Sequence, residues 1–284
     1  MCMRFGFVGA GKVGVSLGKY FVNGGIDVAG YASKHIESAK QAAEFTGTGA
    51  FESVKELMGD CDALILTVPD REISVVYEEI KKELKKPMCL IHCSGLESSA
   101  VFYDLADYQS YGYSIHPLLA VSSKYESYRE LSKAFFTIEG DIYYLDELRQ
   151  MLMQLGNPVI VLNREQKVKY HAASVFASNL VLSLLEESLT LLKDCGFSEE
   201  EAKQALTPLA LGNLVQGLTL SPREALTGPV ERGDITTVKR HRGELTTEQK
   251  ALYDAGSKVL LEIAKKKHPK RDYSHMEKVL KEGK

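Results

Sequence analysis

Gly9-Ala10-Gly11-Lys12-Val13-Gly14 follows the apolar run Phe5–Val8 directly and opens an amphipathic segment that continues to Asn23. A G-x-G-x-x-G turn between a short strand and a helix is compatible with few folds. Gly9 permits the tight turn, Gly11 lets the backbone approach a pyrophosphate, and Gly14 lets helix and strand pack closely. The helix N-terminus adds oriented N–H groups for an anion. The whole turn, Ala10, Lys12 and Val13 included, is therefore expected to bind the phosphates of a dinucleotide; a purely structural turn is the alternative. An overlapping frame, Gly6 through Lys12, reads G-x-x-x-x-G-K, but Val13 stands where a mononucleotide loop needs a hydroxyl for magnesium.

Beyond Asn23 the chain alternates in period. Ile26–Ala32, Ala63–Val68, Pro87–Cys93, Tyr111–Ile115, Ala134–Ile138 and Pro158–Leu162 read as strands, with helical patterns at Val13–Asn23, Ile36–Phe45 and Glu72–Leu84. Such alternation predicts an α/β fold with a largely parallel, helix-covered sheet. After Asn163 the strand signals stop, and helices are expected at 165–194, 199–219, 234–242 and 247–266. Asn163 with Gln166 forms a capping-box variant at that switch. The expected domains are 1–162, dinucleotide-binding, and 163–284, helical.

With 35 Lys+Arg against 38 Asp+Glu, the net charge of −3 offers no field for nucleic acid. The basic last twenty residues read as a solvated tail, a docking patch being the alternative. Five cysteines without metal or redox spacing suit a reducing compartment, and no metal is expected. Met1-Cys2-Met3-Arg4 leads into the first strand without a leader, and the uncharged stretch Ala172 to Leu185 is too short to span a bilayer. The expectation is a cytoplasmic, unanchored protein.

Open α/β sheets bind ligands at the carboxyl ends of their strands. At the end of the second strand, an NAD-preferring protein places a carboxylate against the ribose; here the residues are Tyr31-Ala32-Ser33-Lys34-His35. Ser33 and Lys34 suit a 2′-phosphate, so NADP is the expected cofactor, with Ser33 as a helix cap the alternative. The exits Leu66-Thr67-Val68-Pro69-Asp70 and His92-Cys93-Ser94-Gly95 are expected to line the cofactor trough, with Thr67, Val68, Ser94 and Gly95 as contacts and Asp70 available to cap a helix.

Lys167, His171, Ser174 and Ser178 fall at i, i+4, i+7 and i+11 of the helix after Asn163, within one narrow sector, while Val168, Ala172, Ala173, Val175, Phe176, Ala177 and Leu180 around them are apolar. A polar stripe on an apolar helix predicts a site lining. A hydride donor acting on C=O or C=N needs a proton donor; Lys167 is the first candidate and His171 the second, with Asn179 placed to orient either. His116-Pro117 closes a strand and offers a third imidazole. The Thr227 to Asp234 loop offers Thr227 and Arg232 to a substrate carboxylate, and Asp234 as a helix cap.

Taken together, Gly9–Gly14, Val68-Pro69-Asp70, His92-Cys93-Ser94-Gly95, His116-Pro117-Leu118, Glu139-Gly140-Asp141, KVKYHAASVFASN (Lys167–Asn179) and LTGPVERGD (Leu226–Asp234) resemble a bacterial family of Rossmann-like proteins with a helical C-terminal domain of unknown function. It sits in the 6-phosphogluconate-dehydrogenase-like superfamily, beside pyrroline-5-carboxylate reductase and ketopantoate reductase. The resemblance implies an N-terminal Rossmann-type parallel sheet domain, an all-α dimerisation and substrate domain, and an NADP-type dehydrogenase or reductase with its site between the two. Related hydroxyacid dehydrogenases place Asn four residues after a catalytic Lys, where this chain has His171; His116-Pro117 is similar to the His-Pro of prephenate dehydrogenases. The expected function is an NADP(H)-dependent oxidoreductase acting on a small oxo or hydroxy acid or an imine, as a homodimer through its helical half. The alternatives are a non-catalytic NADP-responsive binding protein and a dehydrogenase that also uses a deazaflavin.

Overall fold

The computed structural model describes residues 3–281. Cys2 and the last three residues of the basic tail lie outside the described residues. The chain divides into two compact units, Met1–Asn179 and Leu180–Lys284. The switch at residue 163, where the sequence turns from strand to helix signals, therefore falls inside the first unit.

That unit begins β1 (Phe5–Val8), α1 (Lys12–Asn23), β2 (Val28–Ala32), α2 (Ile36–Thr46), β3 (Gly49–Phe51), α3 (Val54–Gly59), β4 (Ala63–Leu66) and α4 (Asp70–Glu83). It continues with β5 (Cys89–His92), β6 (Tyr111–Pro117), β7 (Phe136–Gly140), α5 (Leu145–Gln154), β8 (Val159–Val161) and α6 (Lys167–Ala177). One sheet holds all eight strands in the order β3-β2-β1-β4-β5-β6-β7-β8. Neighbours from β3 through β6 pair parallel, β7 turns antiparallel to β6, and β8 runs parallel to β7. The order reverses between β1 and β4, which opens a crevice beyond their carboxyl ends. β3 has no counterpart among the expected strands; its three residues pair only with β2 and are too short for a period to show.

The strands alternate their side chains between two buried layers, as a sheet covered on both faces requires. Phe5, Phe7, Ile65, Ile91, Ile115 and Ile138 pack on one face; Val8, Leu64, Leu66 and Leu90 pack on the other. Burial pushes the thiols of Cys61 and Cys93 up to about 12, which keeps them protonated and unreactive.

The second unit contains α7 (Asn179–Asp194), whose first residue belongs to the preceding unit, α8 (Glu199–Thr219), α9 (Pro222–Ala225), α10 (Pro229–Arg232), α11 (Ile235–Glu244), α12 (Thr247–Lys267) and α13 (Ser274–Lys281). Its core is small: Val230, Val238, Leu261, Ala264, Tyr273, Met276, Val279 and Leu280. Asp234 caps α11 as expected, accepting from the Thr237 N–H at 3.0 Å.

Two expectations for the helical half change. The predicted helix over 165–194 is a short 3-10 turn, Arg164–Gln166, then α6, a break at Ser178, and α7. At the break the Ser178 hydroxyl donates to the Ser174 carbonyl at 2.7 Å, a back-bond that competes with helix continuation. The apolar residues around the stripe are also not enclosed. Lys167 is the one buried residue of α6, whereas Val168 is 66% and Phe176 70% exposed. Residues 164–194, at a hydropathy of 1.4, are long and apolar enough to cross a membrane on those two criteria, unlike the shorter uncharged stretch read from sequence. Lys167, buried in the first unit, commits one end of this segment to protein.

Candidate active site

The glycine turn is built as its spacing requires. Gly9 adopts φ 106°, a conformation that disfavours any side chain. A Cβ on Gly14 would lie 2.4 Å from Thr67 Oγ1 and 2.5 Å from the Gly9 carbonyl oxygen, so only glycine lets α1 approach this closely. At Gly11 a Cβ would meet nothing within 4 Å, which leaves room for a ligand to reach the backbone. Thr67, at the exit of β4, donates its hydroxyl to the Gly9 carbonyl at 2.9 Å and ties the turn to the neighbouring strand. That side chain is a clamp on the glycine turn. Beyond β2, Ser33 is half-buried and Lys34 exposed, and among the described residues neither has a side-chain partner. His35, not Ser33, is the N-cap of α2, and it caps without its side chain. A hydroxyl and an ammonium at this strand end are free for an anion.

The β5 exit is organised around Ser94. Its hydroxyl donates to Asp70 Oδ2 at 2.8 Å and accepts from the N–H groups of Leu96 and Glu97. Its own N–H donates to His92 Nδ1 at 3.2 Å. Its carbonyl accepts from Lys167 Nζ at 2.7 Å, and Lys167 also donates to Ser114 Oγ at 2.7 Å. Ser94 thus orders the turn, and its side chain is fully occupied. Asp70 sits in the first turn of α4, where a carboxylate suits the helix dipole, rather than at the cap.

Lys167 is 1% exposed. Burial pulls its ammonium down to about 8, against the opposing pull of Glu139, Cys93, Asp70 and Glu97. Glu139 is itself buried, accepting from the Ser99 N–H at 2.8 Å and its hydroxyl at 2.6 Å, with Arg164 Nε at 3.5 Å. The first candidate for proton donor is therefore locked among backbone and hydroxyl acceptors.

The two histidines converge at Gly95. A Cβ there would lie 2.8 Å from His171 Nδ1 and 3.0 Å from His116 Nε2, so this glycine keeps open the space between two imidazole nitrogens. His171 Nδ1 is buried without a hydrogen-bond partner, a costly arrangement unless a ligand supplies one. His116 turns its other nitrogen, Nδ1, to the Tyr170 hydroxyl at 2.7 Å. Burial, together with the nearby Lys167 and His171, holds His116 down to about 4, so its ring is neutral near pH 7. Burial likewise holds His92 near 4.

The fold thus brings Lys167, His171, His116, Ser94 and Gly95 together. Ser174 and Ser178 are not drawn into this cluster by hydrogen bonding: the Ser174 hydroxyl donates to the Tyr170 carbonyl at 3.2 Å, and Ser178 bonds its own helix and Asn179. Thr227 and Arg232 belong to the second unit. Sequence reasoning assigned no role to Tyr170, Ser114 or the Glu139–Ser99–Arg164 group. The signal for the first two was present, since Tyr170 lies at i+3 from Lys167 and Ser114 two residues before His116 on one strand face.

Strand order, glycine turn and the crevice at the switch point define the class: a Rossmann-type dinucleotide-binding domain joined to a helical unit. More particularly, residues 4–94 match the family model described as NADP oxidoreductase, coenzyme F420-dependent, and residues 134–259 match that of the domain of unknown function DUF2520. Among solved structures, protein TM1727 of Thermotoga maritima is similar at 28% identity and a TM-score of 0.74, over 92% of this chain and 98% of that one. The pyrroline-5-carboxylate reductase of Coxiella burnetii shares 16% identity with a TM-score of 0.62, over 94% and 98%. An imine reductase of Myxococcus stipitatus in complex with NADP+ shares 16% with a TM-score of 0.63, over 98% and 99%. No curated protein sequence matches the chain.

Proposed function

We propose that this protein is an NADP(H)-dependent oxidoreductase that transfers a hydride to or from a small oxo or hydroxy acid or an imine. The observation that carries the reading is the pair of imidazole nitrogens that both lie against Gly95 beyond the carboxyl end of β5, one of them buried and unpartnered. The open glycine turn fits a pyrophosphate, and Ser33 with Lys34 fits a 2′-phosphate. The NADP+ complex of the similar imine reductase and the description of the matching N-terminal family support that cofactor.

NADPH, when bound, supplies the hydride. Val68 and Gly95 line its approach, while Thr67 and Ser94 hold the turns in place. His116 and His171 bind and polarise the reacting oxygen or nitrogen. Lys167 is a positioning residue here: its bonds to Ser94 and Ser114 fix the two strand exits, and the hydrogen bond that polarises the reacting atom comes from the histidines. Asn179 is a proposed substrate contact; Thr227 and Arg232 lie in the second unit. The active form is a homodimer through the helical half, because α7 buries none of its residues and α8 only Ala202.

Titrations with NADPH and NADH, and then a screen of oxo acids and imines with NADPH and with coenzyme F420, test the reading. NADPH should bind more tightly than NADH, and Lys34→Asp should narrow the difference. Tighter NADH binding overturns the cofactor assignment. NADPH binding with no turnover of any substrate favours the binding-protein alternative.

A further inference from the structure

We infer that Glu139 is a positioning residue of the site: it clamps the far end of the segment that carries Gly95 and so holds that glycine against His116 and His171. The inference rests on the proposed reductase site and adds to it a residue that acts through Ser99.

The segment from Ser94 to Ser99 leads from the end of β5 into a 3-10 turn that begins at Ser99. Lys167 holds its first residue by the carbonyl. Glu139 holds its last. The Glu139 Oε2 accepts the Ser99 N–H at 2.8 Å, and Oε1 accepts the Ser99 hydroxyl at 2.6 Å. Chemistry fixes the direction of these bonds. A backbone N–H only donates, and so does a guanidinium; the Arg164 Nη2 contact at 3.2 Å therefore uses the Ser99 oxygen as acceptor and leaves its proton for Glu139. Glu139 and Ser99 are each 4% exposed, which shields both bonds from solvent.

This placement follows from β7 running antiparallel to β6. Ser114 and Glu139 are cross-strand partners and project to one face. The Ser114 hydroxyl meets the start of the segment, donating to the Ser94 carbonyl at 3.3 Å, while Glu139 meets the end. Past Glu139 the two strands are locked in register. A Cβ on Gly140, whose φ is 151°, would strike the Gly112 carbonyl oxygen, and Asp141 accepts the Gly112 N–H at 2.7 Å. The run Glu139-Gly140-Asp141 thus delivers a carboxylate to Ser99. From the other side, one helical turn, Arg164 to Lys167, reaches both ends of the segment, and His171 lies one turn further along α6. Gly95 and His171 are therefore held in one hydrogen-bonded frame, and losing the Glu139 bonds frees one end of it.

The test compares the full-length wild type with Glu139→Gln, which keeps the volume and one oxygen, and with Ser99→Ala, which keeps the N–H bond and removes the hydroxyl. Ring proton–carbon NMR spectra without cofactor read the two imidazoles directly, their signals assigned by loss in His116→Asn and His171→Asn. Both should shift in Glu139→Gln, and by less in Ser99→Ala. On a substrate found by the screen, Glu139→Gln should lower kcat about tenfold, the scale of one hydrogen bond to a charged group, with KM and the NADPH Kd within about threefold. Wild-type histidine signals, or wild-type kcat on a working substrate, in a folded Glu139→Gln overturn the inference even if Tm falls, because the carboxylate would then only hold strands together. Where Glu139→Gln does not fold, unshifted histidine signals in Ser99→Ala overturn it. Shifted signals in a protein that binds no NADPH sink the reductase reading and leave the clamp standing; NADPH turnover with unshifted signals does the reverse.

Discussion

Gly95 carries no side chain, yet its substitution is the sharpest residue-level test of the site. The Cβ of Gly95→Ala would press on His171 Nδ1 and His116 Nε2 at 2.8 and 3.0 Å, and both are ends of rings that can rotate away. The variant should therefore fold with a nearly unchanged Tm while kcat falls about 10²-fold, the cost of displacing reacting groups by an ångström. Equal losses of Tm and kcat would make the glycine structural. Lys167 makes a different prediction, because its buried ammonium is held near 8 against 10.5 in the unfolded chain. Between those two values the unfolded chain binds more protons, so unfolding free energy should rise with pH from about 8 to 10.5, by roughly 3 kcal/mol in full. Lys167→Met should remove that rise and leave NADPH affinity within a few fold. Urea unfolding across this window measures the effect, and the same slope in wild type and variant would refute it.

At the scale of elements, the glycine turn and the β5 exit differ in what holds them. The turn is closed by backbone packing, and Gly14→Ala puts a methyl against the Gly9 carbonyl and the Thr67 hydroxyl. It should cost about 1–3 kcal/mol in chemical denaturation, as overpacking of a rigid contact does, and weaken NADPH binding as α1 moves. Unchanged stability would mean that helix and strand are looser than the structure describes. The β5 exit is held by neutral imidazole: His92 accepts from the Ser94 N–H and must not charge. His92 and His116 both sit near 4 against 6.5 unfolded. Unfolded histidines take up protons first on acidification, so stability should fall from about pH 6.5 to 4, by at most about 3 kcal/mol per group, and level off below. A flat profile through that window would count against the buried, neutral assignment. The turn was legible because its six residues are contiguous and each constraint is local. The β5 exit was legible only as a strand end, since Asp70, Ser114 and Lys167 reach Ser94 from distant parts of the chain.

For the whole molecule, the unfinished surface of the helical half is the main quantity to test. Leu182 at 65%, Leu209 at 62% and Leu218 at 87% exposure belong to helices with almost no buried residues of their own. A second copy covering this surface would complete a divided core. Light scattering at micromolar concentration should find a dimer, and Leu209→Glu with Leu218→Glu should yield monomers that keep NADPH binding. A monomeric wild type would leave those leucines without the proposed occupant. The apolar pattern of α6 through α8 is legible in sequence as excess apolar surface, but the pattern does not say where its cover lies. Periodicity reports that a face is apolar and cannot tell whether the covering surface comes from the same chain.

By itself the sequence determined the parallel α/β half, the glycine turn, the basic strand end and the helical character of the C-terminal half, all written in contiguous residues through φ, ψ and side-chain period. Only the tertiary structure decided which polar groups meet. Lys167, the first candidate on a helical wheel, is spent on Ser94 and Ser114, while His116 and His171 come together over Gly95. The strand order and the packing of α6 decide that meeting. A wheel gives an angle about one axis, whereas burial and hydrogen-bond saturation depend on what the rest of the chain brings to that face.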